Sequence, residues 1–325
     1  MTTFGDKVYE LGGVPISGPI TQGNVVHLKP SNGDDANMGT DPKDDAVKTW
    51  TRGLALLDAD QNSILYVYSE DNSASGTTDY QSSTLTLNKD GVKYIGVNSG
   101  GIMGQRSRIA QLSTALAVGP LVTFSGSNCF MSGIHIYHGV DDSTSGTAAM
   151  SVTGDRNHFY RCHFAGIGHA TMDTGNNCSL SLTGDENLFE ECTIGLDTVG
   201  RGTASNSEIY FPTGGQATRN IFRNCIIPTS ADAATHQFLV STLASIDQYI
   251  LFENCLFVNA TVGGTSTMTE AFDVAANAGG TIILRNCTLV GCTEWDAGDA
   301  GVDIVAIDGP TPTASTTGIS VEPAT

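Results

Sequence analysis

Long apolar runs, clustered basic residues and helix-favouring stretches are all scarce in this 325-residue chain, and each scarcity closes off a class of protein. No apolar run approaches the roughly 20 residues that a membrane-spanning helix requires. The opening Met1-Thr2-Thr3-Phe4-Gly5-Asp6 lacks the basic start and apolar core of a signal peptide, so the expectation is synthesis in a cytoplasm without Sec export. Charged residues make up only 15% of the chain, and 34 acidic against 15 basic residues leave a net charge of −19. Binding phosphate needs clustered Lys and Arg, which removes nucleic acid and an anionic membrane from the expected partners. No Cys-x-x-Cys pair is matched by a His pair, so the eight cysteines outline no zinc site. Two tryptophans are few for a sugar platform built on exposed aromatic rings.

What the chain does have is repetition. Ser151 to Phe164 matches Ser181 to Ile194, with Thr153-Gly154-Asp155 answered by Thr183-Gly184-Asp185 and Cys162 by Cys192. The frame returns as Phe222-Arg223-Asn224-Cys225, Phe252-Glu253-Asn254-Cys255 and Leu284-Arg285-Asn286-Cys287, and faintly as Phe130-Met131-Ser132-Gly133. Counted from the Cys, or from Gly133, the intervals are 29, 30, 33, 30 and 32 residues. A near-fixed period of this size, built of short β runs, implies stacked repeats in a solenoid.

The spacing also dictates side-chain direction. Phe and Cys sit three apart, whereas alternation in a strand puts only even separations on one face. Both turn inward if the chain bends at the residue before Cys, which is Asn224, Asn254 and Asn286 in three successive copies. Asn tolerates the left-handed conformation and bonds local backbone, so stacked copies predict an Asn ladder at a corner. One residue earlier, Tyr160, Glu190, Arg223, Glu253 and Arg285 face solvent with alternating sign, a ladder of exposed pairs each contributing ~0.2–1 kcal/mol. Cys162, Cys192, Cys225, Cys255 and Cys287 run parallel on the inside, poor geometry for disulfides. They are expected as reduced, buried thiols.

On this Cys-corner pattern, residues from about Val92 to Leu289 resemble the right-handed parallel β-helices of the pectin-lyase-like superfamily. The fold expected is therefore all-β, a right-handed parallel β-helix solenoid with an N-terminal capping helix. Four parts follow: an arm at 1–22, a cap with the first rungs at 23–90, the solenoid at 91–309 and a Thr- and Pro-rich tail at 310–325. The cap comprises a strand at Val25-Val26-His27-Leu28, a turn-rich loop from Ser31 to Pro42, and a helix from Asp44 to Leu57 with Val47, Trp50, Leu54 and Leu57 at helical spacing. Strand Ile64-Leu65-Tyr66-Val67-Tyr68 comes next. Asp34, Asp35 and Asp41 offer hard oxygen ligands for calcium, but their spacing matches no EF-hand and a polar loop is the preferred reading.

Chemistry is harder to place. Asp141, Asp142, Asp173, Glu190, Glu191 and Asp197 are the acidic candidates, with His169 and Arg201 near by in sequence. Asp173 and Asp197 lie 11 and 5 residues past their Cys, so the repeat does not stack them. Asp155 and Asp185 do stack, each within a Thr-Gly-Asp turn where backbone bonding accounts for Asp. His135, His138, His158, His163 and His169 cluster in sequence. His135 and His163 fall on consecutive rungs, but two imidazoles without a third ligand read as solvated strand residues. No catalytic, cofactor-binding or metal residue is assigned.

The entry segment and Cys-corner rungs also resemble a group of tailed-bacteriophage virion proteins that carry β-helices outside the particle, commonly as trimers. That resemblance implies a non-enzymatic virion protein made in the host cytoplasm: a capsid decoration or head-fibre subunit, homotrimeric, held by its N-terminal arm to the major capsid protein or another virion protein. The alternative is a tail spike or depolymerase that binds and cleaves host surface glycan, which calls for a groove with two close carboxylates and exposed aromatics. A third possibility is glycan binding without cleavage.

Overall fold

The computed structural model describes residues 23–69, 78–98, 107–111, 119–141, 147–259, 266–296, 303–306 and 319–320. The arm at 1–22, Asp142 and nearly all of the tail lie outside the described residues. Each repeat contributes a short strand to each of three sheets, of ten, nine and seven strands among the described residues, all paired in parallel except Ile319–Ser320, which runs antiparallel to Thr288–Val290 at the end of the nine-stranded sheet. The ten-stranded sheet runs without a break from Val25–Leu28 through Ile64–Tyr68 to Asp303–Ala306. After the corner the chain enters the nine-stranded sheet, for example at His163–Ala165 and Leu256–Asn259. The seven-stranded sheet consists of Leu85–Leu87, Val122–Phe124, Ala148–Val152, Cys178–Leu182, Ile209–Phe211, Leu239–Ser241 and Phe272–Val274.

From Phe159 onward register follows the sequence repeat residue for residue; the faint copy is displaced by one, since Phe159 pairs with Met131 and Gly133 therefore falls at the corner rather than at the Cys position. Phe159 pairs with Phe189, Phe189 with Phe222, Phe222 with Phe252, and Phe252 with Leu284. The rings stack at 4.8, 4.7 and 4.6 Å between centroids from Phe159 to Phe252, a continuous aromatic column inside the coil. Beside it Cys162, Cys192, Cys225, Cys255 and Cys287 are buried and free. Each later thiol donates to a carbonyl of the preceding rung, as Cys225 Sγ does to Phe189 O at 3.4 Å.

The bend sits where the odd spacing requires it. Arg161, Glu191, Asn224, Asn254 and Asn286 have φ of 50°, 51°, 52°, 54° and 51°, and Gly133, at 66°, occupies the same corner without a Cβ to strain. Asn254 Nδ2 donates to Asn224 Oδ1 at 3.3 Å, a rung of the expected ladder. Corner amides connect successive rungs in one direction: Gly133 N donates to Tyr160 O, Arg161 N to Glu190 O, Glu191 N to Arg223 O, Asn224 N to Glu253 O and Asn254 N to Arg285 O. Outside the bend Arg223 lies between Glu190 at 3.7 Å and Glu253 at 2.7 Å, and Arg285 meets Glu253 at 3.0 Å. A second, buried Asn ladder lies earlier in the repeat. Asn157 Oδ1 accepts from Cys129 N, Asn187 Oδ1 from Asn157 N and Asn220 Oδ1 from Asn187 N, at 2.8–2.9 Å.

The capping helix is shorter than its pattern predicts. Only Trp50–Ala55 is helical, with Thr49 as the N-cap accepting from Arg52 N. Val47 instead extends the sheet, donating to His27 O and accepting from Lys29 N. Asp35 takes the Lys48 and Thr49 amides at 2.9 Å, which fixes an extended approach and delays the helix by six residues relative to Asp44. Trp50 and Leu57 still reach the main core, which among the described residues extends to Trp295.

Candidate functional site

The acidic residues of the cap loop are engaged by their own backbone. Asp34 accepts from Ala36 N, and Asp41 accepts from Lys43 N and Asp44 N at 2.8 and 2.9 Å. These amides hold the Asp41 carboxyl below the usual carboxylate range. Asp155 and Asp185 are engaged differently from the local turn bonding expected of them: each accepts from the backbone of the following rung, Asp155 from Asp185 N and Asp185 from Thr218 N.

Most other candidates are separated rather than gathered. Glu190 and Glu191 belong to the corner ladder, the latter paired with Arg161 at 2.7 Å. Asp141 approaches His169 Nδ1 at 3.5 Å. His135 and His163 do pair across the sheet, with rings 4.4 Å apart and 4° from parallel. They are not solvated, however: both are 4% exposed, and His138 is buried as well. The His163 Nε2–H donates to Gly195 O at 3.0 Å, and burial pushes this imidazole down to about 4 against that bond. The cover comes from the loop that begins at Gly195, whose sequence has no counterpart in the other repeats.

Arg201 is the centre of a charged group that the repeat pattern did not reveal. It reaches Glu208 Oε1 at 3.0 Å, both side chains fully buried, and donates to Gly166 O at 3.1 Å. Ser179 Oγ donates to Glu208 Oε2 at 2.6 Å, and Thr229 Oγ1 meets His236 Nε2 at 2.7 Å. Burial raises the Glu208 carboxyl, with Arg201 opposing, and lowers His236 to about 3, with Arg201 adding to the effect. Sealed from solvent, this group clasps three successive loops to the entrance of the seven-stranded sheet rather than presenting groups to a substrate.

The open surface lies just beyond it. Register aligns Thr86, Thr123, Ser151, Ser181, Tyr210, Val240 and Asp273 in one outward column across the seven strands. All but Val240 are at least partly exposed. Burial raises the half-buried Tyr210 phenol, against a bond from Thr242. Exposed Leu243 and the Thr213–Thr242 hydroxyl pair, 3.0 Å apart, border the column. On the loops leading into the sheet, Asp173 and Asp232 flank Gly202. A methyl placed on Gly202 would sit 3.9 Å from Asp173 Oδ2 and 3.7 Å from Asp232 Cβ. Asp173 also accepts from Gly202 N at 2.8 Å. The signal for these residues was strand parity in the sheet farthest from the Cys corner, where the repeats are least alike.

Three stacked sheets of short parallel strands, an inward thiol and aromatic stack and a left-handed corner define a right-handed parallel β-helix. Among solved structures the chain is similar to a pectate lyase, at a TM-score of 0.58 and 16% identity over 86% of this chain and 68% of that one. It is also similar to the pectin methylesterase of Aspergillus niger, at 0.57 and 15% over 93% and 86%, and to a rhamnogalacturonan lyase, at 0.51 and 16% over 81% and 67%. At these identities the likeness is one of fold. No protein-family model and no curated protein sequence matches the chain.

Proposed function

We propose that the protein acts on a polysaccharide, binding an extended host-surface glycan along the outer face of the seven-stranded sheet and cleaving it, as a tail spike or depolymerase would. The observation that carries this reading is the straight column of hydroxyls and one aromatic ring from Thr86 to Tyr210. Rungs recur about every 4.8 Å, close to the length of one sugar unit, so successive side chains can follow successive sugars. The fold supports it as well, being shared with structures named for pectate, pectin and rhamnogalacturonan.

Charge narrows the glycan. Beyond Gln111 the chain has no lysine, and its arginines are Arg156, Arg161, Arg201, Arg219, Arg223 and Arg285. Each is paired with Glu186, Glu191, Glu208 or Glu253, at 2.5–3.0 Å. No cation of this part of the chain therefore serves the hydroxyl column, and a net charge of −19 repels polyanions. A neutral or amino-bearing polysaccharide is favoured over an acidic one. Cleavage is assigned to Asp173 and Asp232, the two carboxylates that flank Gly202, since glycoside hydrolysis calls for a pair of carboxyl groups.

Host surface polysaccharides incubated with the protein should release reducing ends. Asp173→Asn or Asp232→Asn should abolish release while binding persists, and Tyr210→Ala should weaken binding by about 1 kcal/mol, roughly fivefold. Binding without release would leave a glycan-binding protein that is not an enzyme, and absence of binding to any neutral glycan refutes the proposal. A second reading, the capsid decoration or head-fibre subunit, is favoured by the complete burial of the Arg201–Glu208 pair, which leaves the best-assembled charged group out of reach of any substrate. Imaging of intact particles, with sedimentation to test for a trimer, distinguishes it.

A further inference from the structure

We propose that Gln237, Glu270 and Glu294 hold a divalent metal ion, of the calcium type, near the C-terminal end of the solenoid. The site is separate from the hydroxyl column and does not depend on the glycan reading. Strands Met268–Glu270 and Cys292–Glu294 pair in parallel, Met268 opposite Cys292 and Glu270 opposite Glu294. Met268 and Cys292 are buried in the main core. Residues two further along share their face, so the Glu270 and Glu294 side chains rise from neighbouring rungs about 4.8 Å apart. Gln237 joins them from the rung before, its Nε2 donating to Glu270 Oε1 at 3.2 Å.

Two oxygens in this column lack a hydrogen-bond partner among the described residues, Glu294 Oε2 and Gln237 Oε1. Their side chains are 8% and 5% exposed, so water does not replace the missing partners freely. A carboxylate held this way beside a second carboxylate is strongly unfavourable unless a cation joins it. No lysine follows Lys93 in the sequence, and the last arginine, Arg285, is bound to Glu253. Cys292, the nearest thiol in register, donates to Glu294 O at 3.3 Å. The donor set left is two carboxylates and an amide carbonyl, hard oxygens that suit calcium or magnesium rather than zinc or copper.

Trp295 follows Glu294 directly, whereas the only other tryptophan, Trp50, lies in the cap at the opposite end of the core. Terbium(III), a calcium surrogate, should therefore show emission sensitised by tryptophan in the full-length protein. The emission should survive Trp50→Phe, vanish in Trp295→Phe, and be displaced by calcium. Changes to outer-shell partners of metals weaken binding about 10–100-fold, so Glu294→Gln, which removes one of the two carboxylate charges from the ligand set, should weaken calcium binding at least about tenfold in a calorimetric titration. Gln237→Ala gives the same test should Glu294→Gln fail to fold. Absence of sensitised emission, or calcium affinity unchanged in Glu294→Gln and in Gln237→Ala, overturns the assignment. So does a melting temperature that ignores calcium and rises on acidification, the mark of a proton shared between the two carboxyls.

Discussion

His163 is held neutral because its imidazole is buried between the stacked His135 ring and Gly195, with the charge of Arg108 adding to the effect and that of Asp197 opposing it. Its folded pKa of about 4 lies below the ordinary value of 6.5. The unfolded chain therefore binds the proton first on acidification, and the stability His163 contributes is complete above pH 6.5 and lost as pH falls toward 4. The loss approaches about 3 kcal/mol by pH 4. Urea denaturation across that range should show stability falling with pH in the native protein and a shallower fall in His163→Gln. The pairing of His135 with His163 was legible in the sequence, since both follow the corner at related offsets. Their burial was not, because it depends on a loop that the repeat does not encode.

At the scale of the element, the corner shows how far local chemistry was readable. An odd Phe-to-Cys spacing demanded a bend, Asn marked where it falls, and φ of 52° and 54° at Asn224 and Asn254 follows. Asn254→Ala should lose about 1–2 kcal/mol in chemical denaturation, the penalty of the left-handed conformation for a residue with Cβ and no local polar group. Asn254→Gly should recover most of that and forfeit only the bond to Asn224. The cap helix shows the converse. Helical spacing from Val47 to Leu57 is real, but Val47 finds a strand partner in Leu28, and Asp35 fixes the backbone ahead of Thr49. The buried Asn157–Asn187–Asn220 ladder has a weaker sequence signal than the Asn ahead of Cys, because nothing in the local spacing separates an inward Asn from an ordinary turn residue. The clasp of Arg201, Glu208 and His236 was equally hidden, since those residues lie in loops of unequal length.

For the molecule as a whole, the repeat period carried the architecture because identical inward residues stack only if the chain completes one circuit per period. It carried much less of the candidate site, since an outward face made of Thr, Ser and Tyr leaves no distinctive signature against ordinary surface. The coil makes a testable statement about all eight cysteines, each buried and free. Thiolate is the reactive form, and burial raises Cys129 to about 11 and Cys292 to about 12. A disulfide-exchange reagent should thus titrate no thiol in the native protein and eight in denaturant. Immediate reaction of several thiols would mean that rungs open readily.

The one-way corner amides have an electrical consequence. The peptide units Tyr160–Arg161, Glu190–Glu191, Arg223–Asn224 and Glu253–Asn254 each accept from the rung before and donate to the rung after, so they are hydrogen-bonded head to tail. Moments of about 3.5 D per unit add when aligned, and this edge becomes a lengthwise dipole with its positive pole toward Asn286 and its negative pole toward Gly133. That orientation is opposite to an α-helix, in which the positive pole lies at the chain's start. A negatively charged neighbour would settle best against the late rungs of this edge, and a positively charged one against the early rungs.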